Sequence, residues 1–219
     1  DGTVVLDGDA YMRERPIGAL VEALAMLGVK GESTNGRPPV TIHGRGGFSG
    51  DRVEIDASLT SQYVSALLML AACGAGPVDV ALKNVDIGAR GYVDLTTAAM
   101  ARFGAKVRAL GNGGVWRVEP TGYAAADLAI EPDASAATYL WAAEALTGGS
   151  IDLGVAAGDF TQPDAAAHAL IASFPRMPSL IDGSQMQDAV PTLAVLAAFN
   201  STPVRFTGIA NLRVKECDR

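Results

Sequence analysis

The closing nonapeptide, Asn211-Leu-Arg-Val-Lys-Glu-Cys-Asp-Arg219, carries ionisable side chains at six of its nine positions. Lys215, Glu216, Asp218 and Arg219 bring an acid, a base and phosphate-binding cations together within five residues. Alternating charge is most simply a solvated loop. Its position argues for more. It follows Pro203-Val-Arg-Phe-Thr-Gly208, a strand pattern ending in glycine, and α/β architectures present functional loops at such strand ends.

Other segments offer complementary chemistry. Arg13-Glu14-Arg15-Pro16 sets two guanidiniums at a predicted helix entrance, where the planar fork can grip a phosphate or carboxylate through two parallel hydrogen bonds. A solvated Arg–Glu pair is the plain alternative. Ser58, Thr60 and Ser61 precede a long helix, so their hydroxyls and the free backbone N–H groups either cap it or bind an anion at its positive end. Gln62 adds an amide with both donors and acceptors, suited to a polyhydroxylated phosphate ester. Tyr92, just after Gly88-Ala-Arg-Gly91, offers a phenolic donor or packs on the core. Asp188 falls at a predicted N-cap, and it is also placed to accept a hydrogen bond from a substrate hydroxyl.

Composition narrows the partners. The 219 residues are 49% hydrophobic, enough for one large or two modest cores. A net charge of −7 argues against a nucleic-acid surface. The cations that matter, Arg13, Arg15, Arg90, Arg213, Lys215 and Arg219, are few and sit at loops, which suits a small anionic ligand. Cys73 and Cys217 are the only cysteines, so neither a disulfide framework nor metal-ligand spacing can be read, and a reducing cytoplasm is the expected compartment. No membrane-length apolar run occurs, and the first residues are neither basic nor signal-like. His43, in a strand pattern, and His168, on an alanine-rich helix, are expected to be structural.

The elements that must position these groups repeat. Short strands ending near glycine are predicted at 4–8, 78–82, 151–154 and 204–208. Helices follow the first three, over 16–27, 92–103 and 163–174; Ile17, Leu20, Val21, Leu24 and Leu27 mark one buried face. A second kind of helix, small and apolar and opened by polar residues, precedes the last three strands, over 58–73, 133–146 and 188–199, and is expected to be packed all round. Two strand pairs, 40–43 with 52–56 and 106–108 with 115–118, fill the gaps. The unit reads β-α-β-β-α or a rotation of it. The first strand has no helix before it and the fourth none after it, as expected of a piece of a longer repeat protein. A boundary is expected between 123 and 133.

Met12-Arg-Glu-Arg-Pro-Ile-Gly18, Thr60-Ser-Gln62, Asp188-Ala-Val-Pro-Thr-Leu-Ala194 and the closing Arg-Val-Lys-Glu-Cys-Asp-Arg motif together resemble the 5-enolpyruvylshikimate-3-phosphate synthases, in order along the whole chain. The closing motif is highly specific; the Thr-Ser-Gln triplet alone is weak. The resemblance implies an α/β (α+β) fold, the inside-out α/β barrel of βαβαββ units, incomplete in this chain. Residues 1–130 would form most of one three-repeat globular domain, lacking its first part, and 131–219 the first part of the second. It also implies transfer of the enolpyruvyl group of phosphoenolpyruvate to the 5-hydroxyl of shikimate-3-phosphate, with release of phosphate and with no metal or organic cofactor.

Carried over residue by residue, Thr60, Ser61 and Tyr92 would hold the phosphate of shikimate-3-phosphate and Gln62 its ring. Arg15 and Arg219 would bind phosphoenolpyruvate, and Asn211 and Lys215 would hold shikimate-3-phosphate. Asp188 would act as base on the reacting hydroxyl, and Glu216 would assist proton transfer near the alkene. Ala89 stands where many members have serine, a lost hydroxyl for which Arg90 is the candidate replacement, and Cys217 replaces serine or threonine. The family's Pro-Gly-Ser-Lys-Ser, Asn-Ala-Gly-Thr and Asp-His-Arg motifs are absent, so this chain corresponds to roughly the middle half and is expected to show little or no activity alone. The intact enzyme is expected to be a monomer, and the piece to self-associate. The rivals are UDP-N-acetylglucosamine enolpyruvyl transferase, whose reactive cysteine has no counterpart in the loop before Arg13, and a non-catalytic anion-binding repeat module.

Overall fold

The computed structural model describes residues 2–84, 87, 89–215, 217 and 219. The chain opens with β1 (Gly2–Leu6), α1 (Ala10–Glu14), α2 (Gly18–Met26), β2 (Lys30–Thr34) and β3 (Arg37–Gly44). A complete βαβαββ unit follows: β4 (Arg52–Ile55), α3 (Gln62–Ala71), β5 (Val78–Leu82), α4 (Gly91–Arg102), β6 (Val107–Leu110) and β7 (Val115–Val118). The remainder holds α5 (Ala134–Thr147), α6 (Ala167–Ala172), β8 (Leu180–Asp182), α7 (Val190–Ala197) and β9 (Arg205–Thr207).

Three sheets result, in the orders β1-β3-β2, β4-β5-β7-β6 and β8-β9. β4 and β5 are parallel, with Val53 opposite Val80, as a crossover through α3 requires, and β7 pairs antiparallel with both β5 and β6. Asp79 and Arg117 sit opposite each other on β5 and β7 and meet in two hydrogen bonds of 2.7 Å, which hold the Asp79 carboxyl below its usual range. α3 buries Tyr63, Val64, Leu67, Leu68 and Ala71, the i, i+1, i+4, i+5, i+8 pattern of a single face. α5 starts at Asp133, whose Oδ1 accepts from the Ser135 and Ala136 N–H groups, and it ends at Gly148 with φ of 71°, the left-handed conformation that glycine adopts without strain.

Two cores form. The first gathers Leu27, Val53, Ile55, Leu67, Leu68, Val80, Val93 and Val118. The second gathers Trp141, Ile171, Ile181, Leu193 and Leu196. Residues 119–133 between them contain neither helix nor strand. His43 bonds Thr3 across β1 and β3, and the His168 ring stands edge-on to Trp141, so both histidines take structural contacts. Among the described residues no helix is long and apolar enough to cross a membrane.

Several expectations fail for local reasons. Residues 151–154 form no strand: the Ile151 N–H donates to Glu144 Oε1 and the Gly154 N–H to Asp152 Oδ1, so side chains take the place of a ladder. The strand at 40–43 does not pair with 52–56. β3 lies between β1 and β2 instead, and β4 crosses into the next sheet to pair with β5. The first strand covers 2–6 and not 4–8, because the Asp7 carboxylate takes the Gly8 N–H and the Arg13 guanidinium, and Asp9 then caps a short helix over residues read as loop. The alanine-rich helices are not packed all round: Tyr139, Leu140 and Leu146 of α5 and Val195 of α7 are exposed, since the second core covers only one side of each.

Candidate functional site

The start of α3 and the closing segment face each other. Ser61 is the N-cap of α3 but makes no side-chain cap; instead Thr60 Oγ1 accepts the Gln62 N–H at 3.2 Å, and the Ser61 side chain is buried. Capping by the Ser58, Thr60 and Ser61 set is therefore limited to Thr60. From the C-cap of α1, Arg15 Nη2 reaches Gln62 Oε1 at 3.5 Å. Its neighbour Arg13 is committed to Asp7 through bonds of 2.8 and 2.6 Å, so only one guanidinium of the Arg-Glu-Arg segment faces Gln62. Tyr63 donates its hydroxyl to the Pro16 carbonyl, which pins the Pro16–Ile17 peptide to α3.

The closing segment is a 3-10 turn, Ala210–Val214, followed by Lys215. Asn211 is buried; its Nδ2 donates to Gln187 Oε1, while its Oδ1 is buried without a partner among the described residues. Asp188 lies in the turn Gln187–Ala189, and the N-cap of α7 is Ala189, with no side-chain cap. The expected capping role of Asp188 is thus replaced. Its Oδ1 receives Lys215 Nζ at 3.2 Å and Arg219 Nη1 at 2.8 Å, with all three side chains less than a third exposed. Charged groups this far withdrawn from water interact more strongly than surface pairs.

Two adjoining cavities result. One, of about 160 Å³, is lined by Arg15, Thr60, Gln62, Asn211 and Lys215 among others. The other, of about 300 Å³, is lined by Thr60, Ser61, Gln62, Tyr92, Asp188 and Lys215 among others. Thr60, Gln62 and Lys215 line both, so residues from five stretches of sequence, at 15, 60–62, 92, 188 and 211–215, share one cleft between the two cores. Arg219 reaches it through Asp188. Glu216 lies outside the described residues.

Around Tyr92 the arrangement differs from expectation. Its hydroxyl donates to Asp164 Oδ2 at 2.5 Å. Arg90, the candidate replacement for a lost hydroxyl at Ala89, turns elsewhere: Nη2 donates to the Gly113 carbonyl at 2.5 Å and the guanidinium stacks on Trp116. Ala89 holds φ of 55°, a strained left-handed conformation, and its N–H donates to the Ser184 carbonyl at 2.8 Å. The Arg90 N–H donates to Gln185 Oε1 at 2.8 Å. Sequence reading did not single out Tyr63, Asp164, Ser184, Gln185 or Gln187. Only Gln187 and Tyr63 carried a signal, adjacency to Asp188 and to Gln62; the others are joined to the site by chain separations of 72 to 95 residues.

The model of the EPSP synthase (3-phosphoshikimate 1-carboxyvinyltransferase) family matches residues 1–219. A 3-phosphoshikimate 1-carboxyvinyltransferase of Pseudomonas syringae pv. syringae is 67% identical over all 219 residues, which cover 52% of that protein. One from Rhizobium leguminosarum bv. trifolii is 68% identical, again over the whole chain and 52% of the relative. The chain thus spans about half the length of the curated relatives it matches. In fold it is similar to the EPSP synthase of Acinetobacter baumannii, with a TM-score of 0.66 at 19% identity over 99% of this chain and 54% of that one. It is also similar to the enolpyruvyl transferase NikO of Streptomyces tendae, with a TM-score of 0.58 at 14% identity over 94% of this chain and 53% of that one. A family match along its full length and relatives two-thirds identical establish that this chain belongs to the EPSP synthase family.

Proposed function

We infer that this chain is the central part of an enzyme that transfers the enolpyruvyl group of phosphoenolpyruvate to the 5-hydroxyl of shikimate-3-phosphate and releases phosphate. One observation carries the reading: Arg15, the Thr60-Ser61-Gln62 triplet and the Asp188–Lys215–Arg219 group converge on a single cleft. They do so in a chain 67% identical to a protein named for that transfer.

In this reading Thr60 and Ser61 bind the phosphate of shikimate-3-phosphate and Gln62 its ring. The unpartnered Asn211 Oδ1 accepts a ring hydroxyl, which would satisfy a buried acceptor. Arg15 and Arg219 attract the anionic phosphoenolpyruvate. Asp188 takes the proton of the 5-hydroxyl as oxygen adds to the alkene, and Lys215, at 3.2 Å, stabilises the charge that develops there. Glu216 serves the proton delivered to the alkene carbon, and the tetrahedral adduct then expels phosphate as the methyl carbon gives up a proton, which restores the alkene. No cofactor is required by this scheme. The first core and the second belong to two globular domains, divided near residue 130, and the intact enzyme acts as a monomer in the cytoplasm.

The test is phosphate release from phosphoenolpyruvate with and without shikimate-3-phosphate. It is run on the 219-residue chain and on the same chain joined to the segments of the Pseudomonas syringae relative that this chain does not cover. The joined polypeptide is expected to release phosphate only when both substrates are present, and the 219 residues alone little or none. A folded joined polypeptide with no shikimate-3-phosphate-dependent release would overturn the assignment.

A further inference from the structure

Asp164 is fully buried, yet its carboxylate is served unevenly. Oδ2 accepts from the Tyr92 hydroxyl at 2.5 Å and from the Ser135 hydroxyl at 2.6 Å. Oδ1 has no hydrogen-bond partner, and no cation pairs with the carboxylate, among the described residues. Asp164 lies in the 3-10 turn Pro163–Ala166 and Ser135 in the first turn of α5, both beside the second core, whereas Tyr92 is on α4 beside the first. Tyr92 therefore gives its single proton across the boundary between the two cores. The start of α4 is held close to this turn: a Cβ on Gly91 would stand 2.6 Å from Pro163 Cγ. Burial first, then the bond to Asp164, pushes the Tyr92 phenol well above its ordinary range, so it keeps its proton at neutral pH.

A phenol has one proton to give. While Asp164 holds it, Tyr92 can offer the cavity only lone pairs. A phosphate monoester above pH about 6 carries acceptor oxygens and almost no proton, so it cannot bond to those lone pairs. Any phosphate contact made by Tyr92 must draw the O–H away from Asp164, leaving that buried carboxylate with Ser135 alone.

We propose that Asp164 is a positioning residue of this site: it competes with an anionic ligand for the Tyr92 proton and thereby sets how readily Tyr92 can act as a phosphate donor. The proposal rests on the reading that a phosphate ester occupies the cleft. It also gives Ser135 a defined part, because a second donor to Oδ2 weakens the hold of that oxygen on Tyr92.

The experiment measures dissociation constants for orthophosphate and for shikimate-3-phosphate in the joined polypeptide and in its Asp164→Asn, Ser135→Ala, Tyr92→Phe and Asp164→Asn/Tyr92→Phe variants. Replacing a charged acceptor by a neutral one weakens its bond to Tyr92, so Asp164→Asn is expected to tighten both ligands about fivefold. Ser135→Ala, on a half-buried helix turn already capped by Asp133, is expected to weaken both about threefold. Tyr92→Phe is expected to weaken both, and the double variant to match Tyr92→Phe, because the competition then has no proton to contest. Looser or unchanged binding in Asp164→Asn overturns the proposal, as does a double variant that still differs from Tyr92→Phe, or orthophosphate binding by none of the proteins. Should Asp164→Asn fail to fold, the sign of the Ser135→Ala effect decides, tighter or unchanged binding overturning the proposal. Turnover of the unmodified polypeptide judges the enzyme assignment separately: orthophosphate binding that follows the expected pattern without turnover would overturn that assignment and leave the competition standing.

Discussion

Replacing Asp188 by asparagine keeps the size of the side chain and removes its charge. In the native arrangement Oδ1 holds Lys215 at 3.2 Å and Arg219 at 2.8 Å, and the three side chains are only 31%, 17% and 22% exposed. Hydrogen bonds to charged groups contribute about 1.5–3 kcal/mol each when well withdrawn from water. Asparagine keeps one neutral acceptor but leaves two cations facing each other, so a net loss of about 2 kcal/mol is expected. For the unit of about 90 residues that holds Asp188, beyond the division near residue 130, this corresponds to a fall of about 8–16 °C in the Tm of its transition. If Asp188 is also the base, loss of its proton-accepting charge should lower kcat by about 10²–10⁴ in the joined polypeptide, with the dissociation constant for shikimate-3-phosphate changed far less. Thermal unfolding and phosphate release at saturating concentrations of both substrates measure the two effects. A kcat within tenfold of the unmodified protein refutes the catalytic reasoning, and an unchanged or raised Tm refutes the electrostatic one.

The two cores should respond separately to cavities: Leu67→Ala and Leu193→Ala, at residues 1% and 0% exposed, should each cost about 2–5 kcal/mol. Calorimetry should show each variant lowering a different transition, and one shared transition shifted equally by both would contradict the division near residue 130. At the opening of the chain, the hydrogen bond from Arg13, with that of the Gly8 N–H, lowers the Asp7 carboxyl to about 2. A depressed folded-state value means that its contribution to stability is present above the unfolded value near 4 and is lost as pH falls toward about 2. An NMR titration of Asp7 should therefore find a midpoint near 2 that returns toward 4 in Arg13→Gln; a midpoint near 4 in the unmodified chain would refute the pairing.

Helices were the most legible elements, because their apolar spacing is local: α2, α3 and α7 lie within the ranges that periodicity marks, and α4 and α5 overrun theirs by one residue. Strand partners were not. Val40 and Val53 both lie within strand patterns, and nothing in either sequence says that Val40 pairs with Leu6 and Ser33 while Val53 pairs with Val80. Register depends on which sheet a strand enters, a choice made by chain-distant contacts. The same limit hid the surroundings of Tyr92. Its type and place at the start of α4 were readable, but its partner is set by the turn Pro163–Ala166 folding against a different core.

Asp188 shows why a failed local expectation can be informative. An aspartate ahead of an apolar helix should cap it. Here the helix begins Val190-Pro191, and proline at a first-turn position lacks one of the N–H groups that a cap would satisfy. The turn Gln187–Ala189 carries the chain into the helix without a side-chain cap, and the carboxylate remains available for Lys215 and Arg219. A capping carboxylate is held against the backbone of its own helix; one relieved of that task can meet cations from another segment and face a cavity. The same logic separates Arg15 from Arg13: Asp7 occupies Arg13, so Arg15 is the guanidinium that reaches Gln62. Asp188 and Arg15 thus face the cleft because a neighbour has taken over the local structural task each would otherwise have, whereas Thr60 lines the cleft while keeping its bond to the Gln62 N–H.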